Sequence, residues 1–328
     1  MLFVAIIWAY IGGMRAVAWT DSLQALIMLI VSSVSVLFVV YGAFGGFGGL
    51  FASLEAKCPE WLAVPGPGYF NPATFVALAL PWFFFSLSNP QVSQRLFIPR
   101  SLGAMRTMVM GFMVFGFIYT FVSIVWGLLA RLLLPDLPSG DLATPSLLAL
   151  NIIPISISLL VLVGITAAAI STINSIILTL SSMVSQDILK AMNPAIAESR
   201  LFNVGRLFVP LFAIVAFLFA SLKLGLIAVL SVASSAGLLV IVPAIIGAFF
   251  WKRGTAAGAI TSIVIGGIVA FWFQFGGVKP LGWGPGVWSG IIATVLFVVV
   301  SLLTTPPREK AEEFMTYING ALKENNAI

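Results

Sequence analysis

Residues 155–190 read ISISLLVLVGITAAAISTINSIILTLSSMVSQDILK, and the reading of this stretch decides what kind of fold the chain can have. Ile155 to Val184 carries no charge and exceeds the 20 or so residues that cross a bilayer core. Yet Ser171, Thr172, Asn174, Ser175 and Thr179 crowd its middle. Polar side chains at membrane depth point into the protein or line a cavity. Ser171, Ser175 and Ser182 share one helix face by their spacing, and Ala167, Ala168 and Ala169 come just before them. Two readings stand. The hydroxyls bond back to the preceding turn, and the small residues let helices approach closely. Alternatively, a hydroxyl pair beside an accessible backbone carbonyl provides the oxygen ligands that a hard cation takes. Spacing alone favours the first.

The rest of the composition points the same way. Of 328 residues, 60% are hydrophobic and 8% charged, with a mean hydropathy of +1.12. Soluble domains carry charge on about a quarter of their residues, so most of this surface is expected to face a lipid bilayer. Histidine is absent and Cys58 is the one cysteine. That removes an internal disulfide, His-based metal sites, Ser–His–Asp triads and Cys–His nucleophiles, and argues against an enzyme.

Eight segments meet or approach spanning length: Ser22–Tyr41, Ala73–Leu87, Thr107–Ala130, Ile155–Val184, Leu207–Leu222, Leu224–Trp251, Thr255–Phe275 and Val287–Thr305. Leu2–Ile11 is too short to span before Gly12-Gly13, where the chain is expected to turn. It reads as the end of a helix begun earlier, as in an N-terminally truncated chain. Thr20 is placed to cap the helix that follows, and Trp19 suits an interface.

One alternate set of loops, with the tail, holds Arg15, Arg95, Arg100, Arg106, Lys190, Arg200, Arg206, Lys252, Arg253, Arg308, Lys310 and Lys323. The other set holds Lys57, Arg131, Lys223 and Lys279. This alternation places the basic loops and the C-terminus in the cytoplasm. The net charge of +5 is thereby a topology signal, and no nucleic-acid partner is expected. Gly42–Pro72 reads as turns, Pro145–Leu150 as a short helical cap. After Pro306-Pro307, Ala311, Phe314, Met315, Ile318 and Leu322 recur at helical spacing. They fit an amphipathic helix at the inner surface or a solvated tail.

A second polar stretch, LPWFFFSLSNPQVSQRLFIPRS at 80–101, has Pro81 and Pro90 bracketing aromatic and polar residues. Pro90 removes a helix hydrogen bond and disfavours helix at Asn89, so the chain should kink or break there. Such breaks border cavities in secondary transporters. An ordinary helix end, with Arg95 and Arg100 at the interface, fits equally well.

GGMRAVAWTDSLQ (12–24), SNPQVSQRLFIPRS (88–101), AAAISTINS (167–175) with SQDILK (185–190), and FFWKRGTAAGA (249–259) resemble, in order and spacing, the sodium/solute symporters. That family includes permeases for sugars, proline and pantothenate. The resemblance runs to about residue 275 and implies an all-α integral membrane protein of the LeuT-type inverted-repeat fold, in a cell membrane. Residues 1–42 would be a partial first repeat, 73–251 the complete second repeat, 255–305 peripheral helices and 306–328 a cytoplasmic tail. The first three core helices and most of the fourth would be missing.

The resemblance also assigns roles. Ser171 and Thr172 match the family's hydroxyl pair and Ala168 its carbonyl ligand for sodium, the coupling ion. Trp82 and Pro90 match the proline permease, but Ser86 stands where that permease has Tyr, which puts proline in doubt. Trp82, Ser86, Asn89 and Pro90 are the candidates to line the path of a small polar solute. The implied function is sodium-coupled symport of an amino acid, a carboxylate or vitamin, or a sugar. Asp, Glu and His are expected to be absent from every span, which disfavours a proton relay. A solute sensor with a separate signalling partner, a channel, and an inactive fragment are the alternatives. The missing helices could form a separate chain.

Overall fold

The computed structural model describes residues 2–68, 71–222, 233–234 and 236–324, and side chains from Val17 onward. Among them there are helices and no strands. In lipid every backbone N–H and C=O needs an internal partner, and a helix supplies one within a single segment. The principal helices are α1 (Leu2–Phe44), α2 (Phe47–Lys57), α3 (Pro72–Phe83), α4 (Leu102–Leu133), α5 (Ile155–Ser182), α6 (Glu198–Ser221), α7 (Val242–Phe250), α8 (Ala256–Phe275), α9 (Pro285–Leu303) and α10 (Arg308–Glu324).

Six helical stretches among the described residues are long and apolar enough to cross a membrane: Val17–Phe44, Leu102–Leu133, Ile155–Met192, Glu198–Ser221, Ala256–Phe275 and Pro285–Leu303. Two further segments, Pro72–Phe83 and Ala236–Phe250, are apolar but shorter. The expected span Leu224–Trp251 lies partly outside the described residues.

The chain divides into two compact units, Met1–Leu62 with Arg106–Leu224, and Ala63–Met105 with Gly225–Ile328. In the first, α1 and α5 form the most extensive helix pair, and α6 packs on both. Gly164 of α5 faces Met28 of α1, where an added Cβ would make ordinary van der Waals contact with the Met28 Cα at 3.8 Å. Val36, Val39 and Val40 of α1 join Leu50 and Leu54 of α2, Val125 and Leu129 of α4, and Leu147 in a core around one end of α5.

Two expectations change here. Gly12-Gly13 does not turn the chain, because α1 runs unbroken through it. Glycine weakens a helix by about 1 kcal/mol relative to alanine but does not forbid it. Thr20 consequently caps nothing, and its Oγ1 donates to the Val17 carbonyl at 3.0 Å within the helix. The region after Gly42 is not all turn either. Gly45 and Gly46, at φ 69° and 127°, reverse the chain, and α2 follows with Leu50 and Leu54 four residues apart on its buried face.

At its C-terminal end α5 widens into a π-helical turn, Met183–Leu189. Ser185 in that turn is buried against α6 at Gly205, where a Cβ would meet the Ser185 Oγ at 3.2 Å.

In the second unit, Gly258, Ser262, Gly266 and Ala270 recur every four residues on the buried face of α8. Ser289, Ala293, Phe297 and Ser301 do the same on α9. Two stripes of this kind let antiparallel helices approach through small residues. Thr255 caps α8, its Oγ1 accepting from the Gly258 N–H at 3.1 Å, and the Thr255 N–H donates to the Ser301 Oγ at 3.2 Å. Beyond α9, Ala311, Met315, Ile318 and Leu322 form the half-buried face of α10, and the Phe314 ring lies 5.8 Å from Phe249.

The stripe gives a direct test. A Cβ at Gly258 would stand 2.9 Å from the Phe297 carbonyl oxygen, which belongs to a helix backbone and cannot turn aside. Gly258→Val is expected to destabilise the fold by about 1–3 kcal/mol, read as a lower thermal midpoint in detergent. An unchanged midpoint would show that α8 and α9 do not pack through this face.

Candidate functional site

The first unit holds a polar seam along α5. The Ala168 carbonyl accepts from both neighbouring hydroxyls, Ser171 Oγ at 3.1 Å and Thr172 Oγ1 at 3.0 Å. Three oxygens therefore meet at one turn, two of them on side chains that can rotate their protons away. A hard cation could take all three as lone-pair donors. Ser171 is half-buried and Thr172 exposed, which leaves the cluster open on one side.

One turn further along the same face, the Ser175 Oγ donates to the Asp21 carboxylate of α1 at 3.3 Å. Asp21 lies near the start of the 28-residue stretch Val17–Phe44, just before the expected span Ser22–Tyr41. Ser175, read as a packing contact from spacing, instead holds a carboxylate. Asn174 beside it is 1% exposed, and its Oδ1 has no hydrogen-bond partner among the described residues. Ser182 follows the packing reading, donating to the Thr179 carbonyl at 2.9 Å.

The second unit holds the broken helix. α3 ends at Phe83, a single turn covers Phe85–Ser88, and Asn89 is extended at φ −93° and ψ 113° before Pro90 opens another turn. Proline suits a first helical position, where its missing N–H is not needed. The Ser93 Oγ lies 2.9 Å from the carbonyl oxygen of Ser86, which Pro90 cannot bond, 3.2 Å from that of Leu87 and 3.2 Å from that of Asn89.

Of the expected solute contacts, Trp82 is half-exposed with its ring 5.0 Å from Phe85, and Ser86 is exposed. Pro90 is half-buried. Asn89 is 5% exposed, and its amide is engaged locally, donating to the Ser88 Oγ at 3.4 Å and accepting from Gln91 at 3.4 Å. Its place is inside the break. Ser88 and Ser93, which hold the break together, were not singled out from the sequence, although both are hydroxyls within five residues of Pro90.

Helices broken at membrane depth are a recurring device of secondary transporters. The chain belongs to the Sodium:solute symporter family, whose profile matches residues 1–266.

Sodium/myo-inositol cotransporter 2 of Oryctolagus cuniculus is 25% identical over 381 residues, covering 97% of this chain and 55% of the cotransporter. The human protein of that name is 25% identical over 375 residues, with the same coverage of each chain. A sodium/glucose cotransporter of Vibrio parahaemolyticus is 24% identical over 339 residues, covering 92% and 60%. The chain spans a little over half the length of these relatives.

A solved structure of a Na+-coupled sialic acid symporter, substrate-bound and outward-open, superposes with a TM-score of 0.70 at 20% identity. It covers 93% of this chain and 66% of that one. The fold is thus the LeuT-type transporter fold, and the protein is a multi-pass membrane protein.

Proposed function

We propose that this protein carries out sodium-coupled symport of a small polar organic solute by alternating access. The observation that carries the reading is the convergence of the Ala168 carbonyl, Ser171 Oγ and Thr172 Oγ1, with Ser175 one turn on donating to the Asp21 carboxylate of α1. Ala168, Ser171 and Thr172 would contact sodium, and Asp21 would supply negative charge near it. Trp82, Ser86 and Pro90 would line the solute path, with Asn89 shaping the break. Polyols and sugars are the first solutes to try, because the relatives' names cite myo-inositol and glucose.

Sodium and solute would couple reciprocally, each raising the affinity for the other by the same factor. The alternation of basic loops supports a cytoplasmic C-terminus in a cell membrane. The family and the hydroxyl set favour sodium as the coupling ion. The repeat boundaries 1–42, 73–251 and 255–305 are proposed on the same resemblance.

In proteoliposomes, labelled myo-inositol and glucose should accumulate with an inward sodium gradient and not with choline at equal pH. Sodium, but not choline, should also change intrinsic tryptophan fluorescence without turnover. Equal signals in both buffers, or accumulation driven by a pH gradient in choline, would overturn the reading.

A further inference from the structure

The second unit contains an apolar groove of about 520 Å³ whose walls come from α3, α7 and α9. Leu80 and Phe84 form one side, Ile246 another, and Gly290, Ile291 and Val298 the floor. Its one hydroxyl, Thr294, is already used, donating to the Gly290 carbonyl at 2.7 Å. A polar solute would find nothing there to bond. Along α9 the lining runs from Val287 to Val298, about 16 Å at the helical rise. That is long and narrow.

Near the Val298 end of that lining Trp251 borders the groove, and its ring meets Phe297 edge-on at 5.5 Å. Directly after it come exposed Lys252 and then Arg253. The Arg253 Nη2 donates to the Leu302 carbonyl at 2.8 Å, one turn beyond Val298. Its Nε is buried with no hydrogen-bond partner among the described residues. The Lys252 ammonium and the accessible part of the Arg253 guanidinium are donors that phosphate oxygens answer strongly. Phe250 and Leu303 stand 85% and 80% exposed at this end, side chains suited to acyl chains rather than water. Tryptophan and basic residues together mark the headgroup level of a bilayer.

We propose that the groove binds one anionic phospholipid, with an acyl chain along α9 and the phosphate at Lys252 and Arg253. The charge at one end selects the occupant: a neutral lipid or an apolar protein segment leaves the basic pair unanswered. The site rests on membrane residence alone and does not depend on sodium coupling.

The test uses the full chain, delipidated in detergent and titrated with dioleoyl phosphatidylglycerol or dioleoyl phosphatidylcholine. Native mass spectrometry reads occupancy, and thermal unfolding reads the stabilisation that binding brings. Phosphatidylglycerol should bind more tightly and raise the midpoint more. Lys252→Gln should weaken its binding about fivefold and leave phosphatidylcholine unaffected. Gly290→Leu should abolish occupancy. A Cβ at Gly290 meets no atom within 4 Å, so that variant fills the groove without disturbing the fold. Equal binding of the two lipids would overturn the proposal. So would phosphatidylglycerol binding indifferent to either substitution, or a groove protected by a second copy of the chain.

Discussion

Replacing Ser171 by Ala and Thr172 by Val together is expected to weaken sodium binding by about a hundredfold or more. Each oxygen contact to a charged partner contributes about 1.5–3 kcal/mol, and the double substitution removes two. The fold should survive, because both hydroxyls bond only to the Ala168 carbonyl within their own helix. Valine matches threonine in shape. The thermal midpoint should therefore hardly move, while the sodium concentration for half-maximal uptake or fluorescence change rises steeply. If the sodium response of the double variant matches that of the parent at equal midpoint, these residues are packing groups and the ion binds elsewhere.

Asp21→Asn is expected to have an effect of similar size by a different route. Asparagine keeps an oxygen to accept the Ser175 hydroxyl, so the contact between α1 and α5 persists while the charge is lost. At an effective dielectric of about 20, a unit charge about 8 Å away contributes about 2 kcal/mol. Sodium affinity should fall about thirtyfold, with solute affinity in the absence of sodium unchanged. Asp21→Ala is the contrasting variant, because it also removes the hydrogen bond between α1 and α5 and should lower the thermal midpoint. Unaltered sodium dependence in Asp21→Asn would make this carboxylate a structural partner of Ser175 and nothing more.

Asp21 also shows where sequence reading stops. The long apolar stretches are legible because lipid demands them, and the six spanning helices fall where hydropathy puts them. The break at Asn89 is legible because Pro90 lacks the N–H that would continue the helix and disfavours helix at the residue before it. The pair Gly12-Gly13 misleads: its conformational freedom suggests a turn, but the helix-forming residues around it keep the chain helical. Reading a turn there moved Asp21 from the middle of a helix to a loop and hid its partner 154 residues away. Leu50 and Leu54 were hidden in the same way, their four-residue spacing masked by the glycines and prolines of Gly42–Pro72. Local composition cannot report which of two weak signals the packing will favour. The Ala168, Ser171 and Thr172 cluster needed only one helix, and so its residues could be named from sequence.

The wide turn at Met183–Leu189 sets the angular phase of everything that follows it on α5. Each residue of an α-helix advances about 100° around the axis, and a π-turn accommodates one residue more than an α-turn would. The azimuth that carries Ser171 and Ser175 is therefore not the one continued by Lys190 and Met192. The helix behaves as two rotors on one shaft, keyed together by Ser185 against Gly205. The face that carries the proposed ion ligands and the face beyond the wide turn are thereby free to differ in chemistry, though one helix carries both.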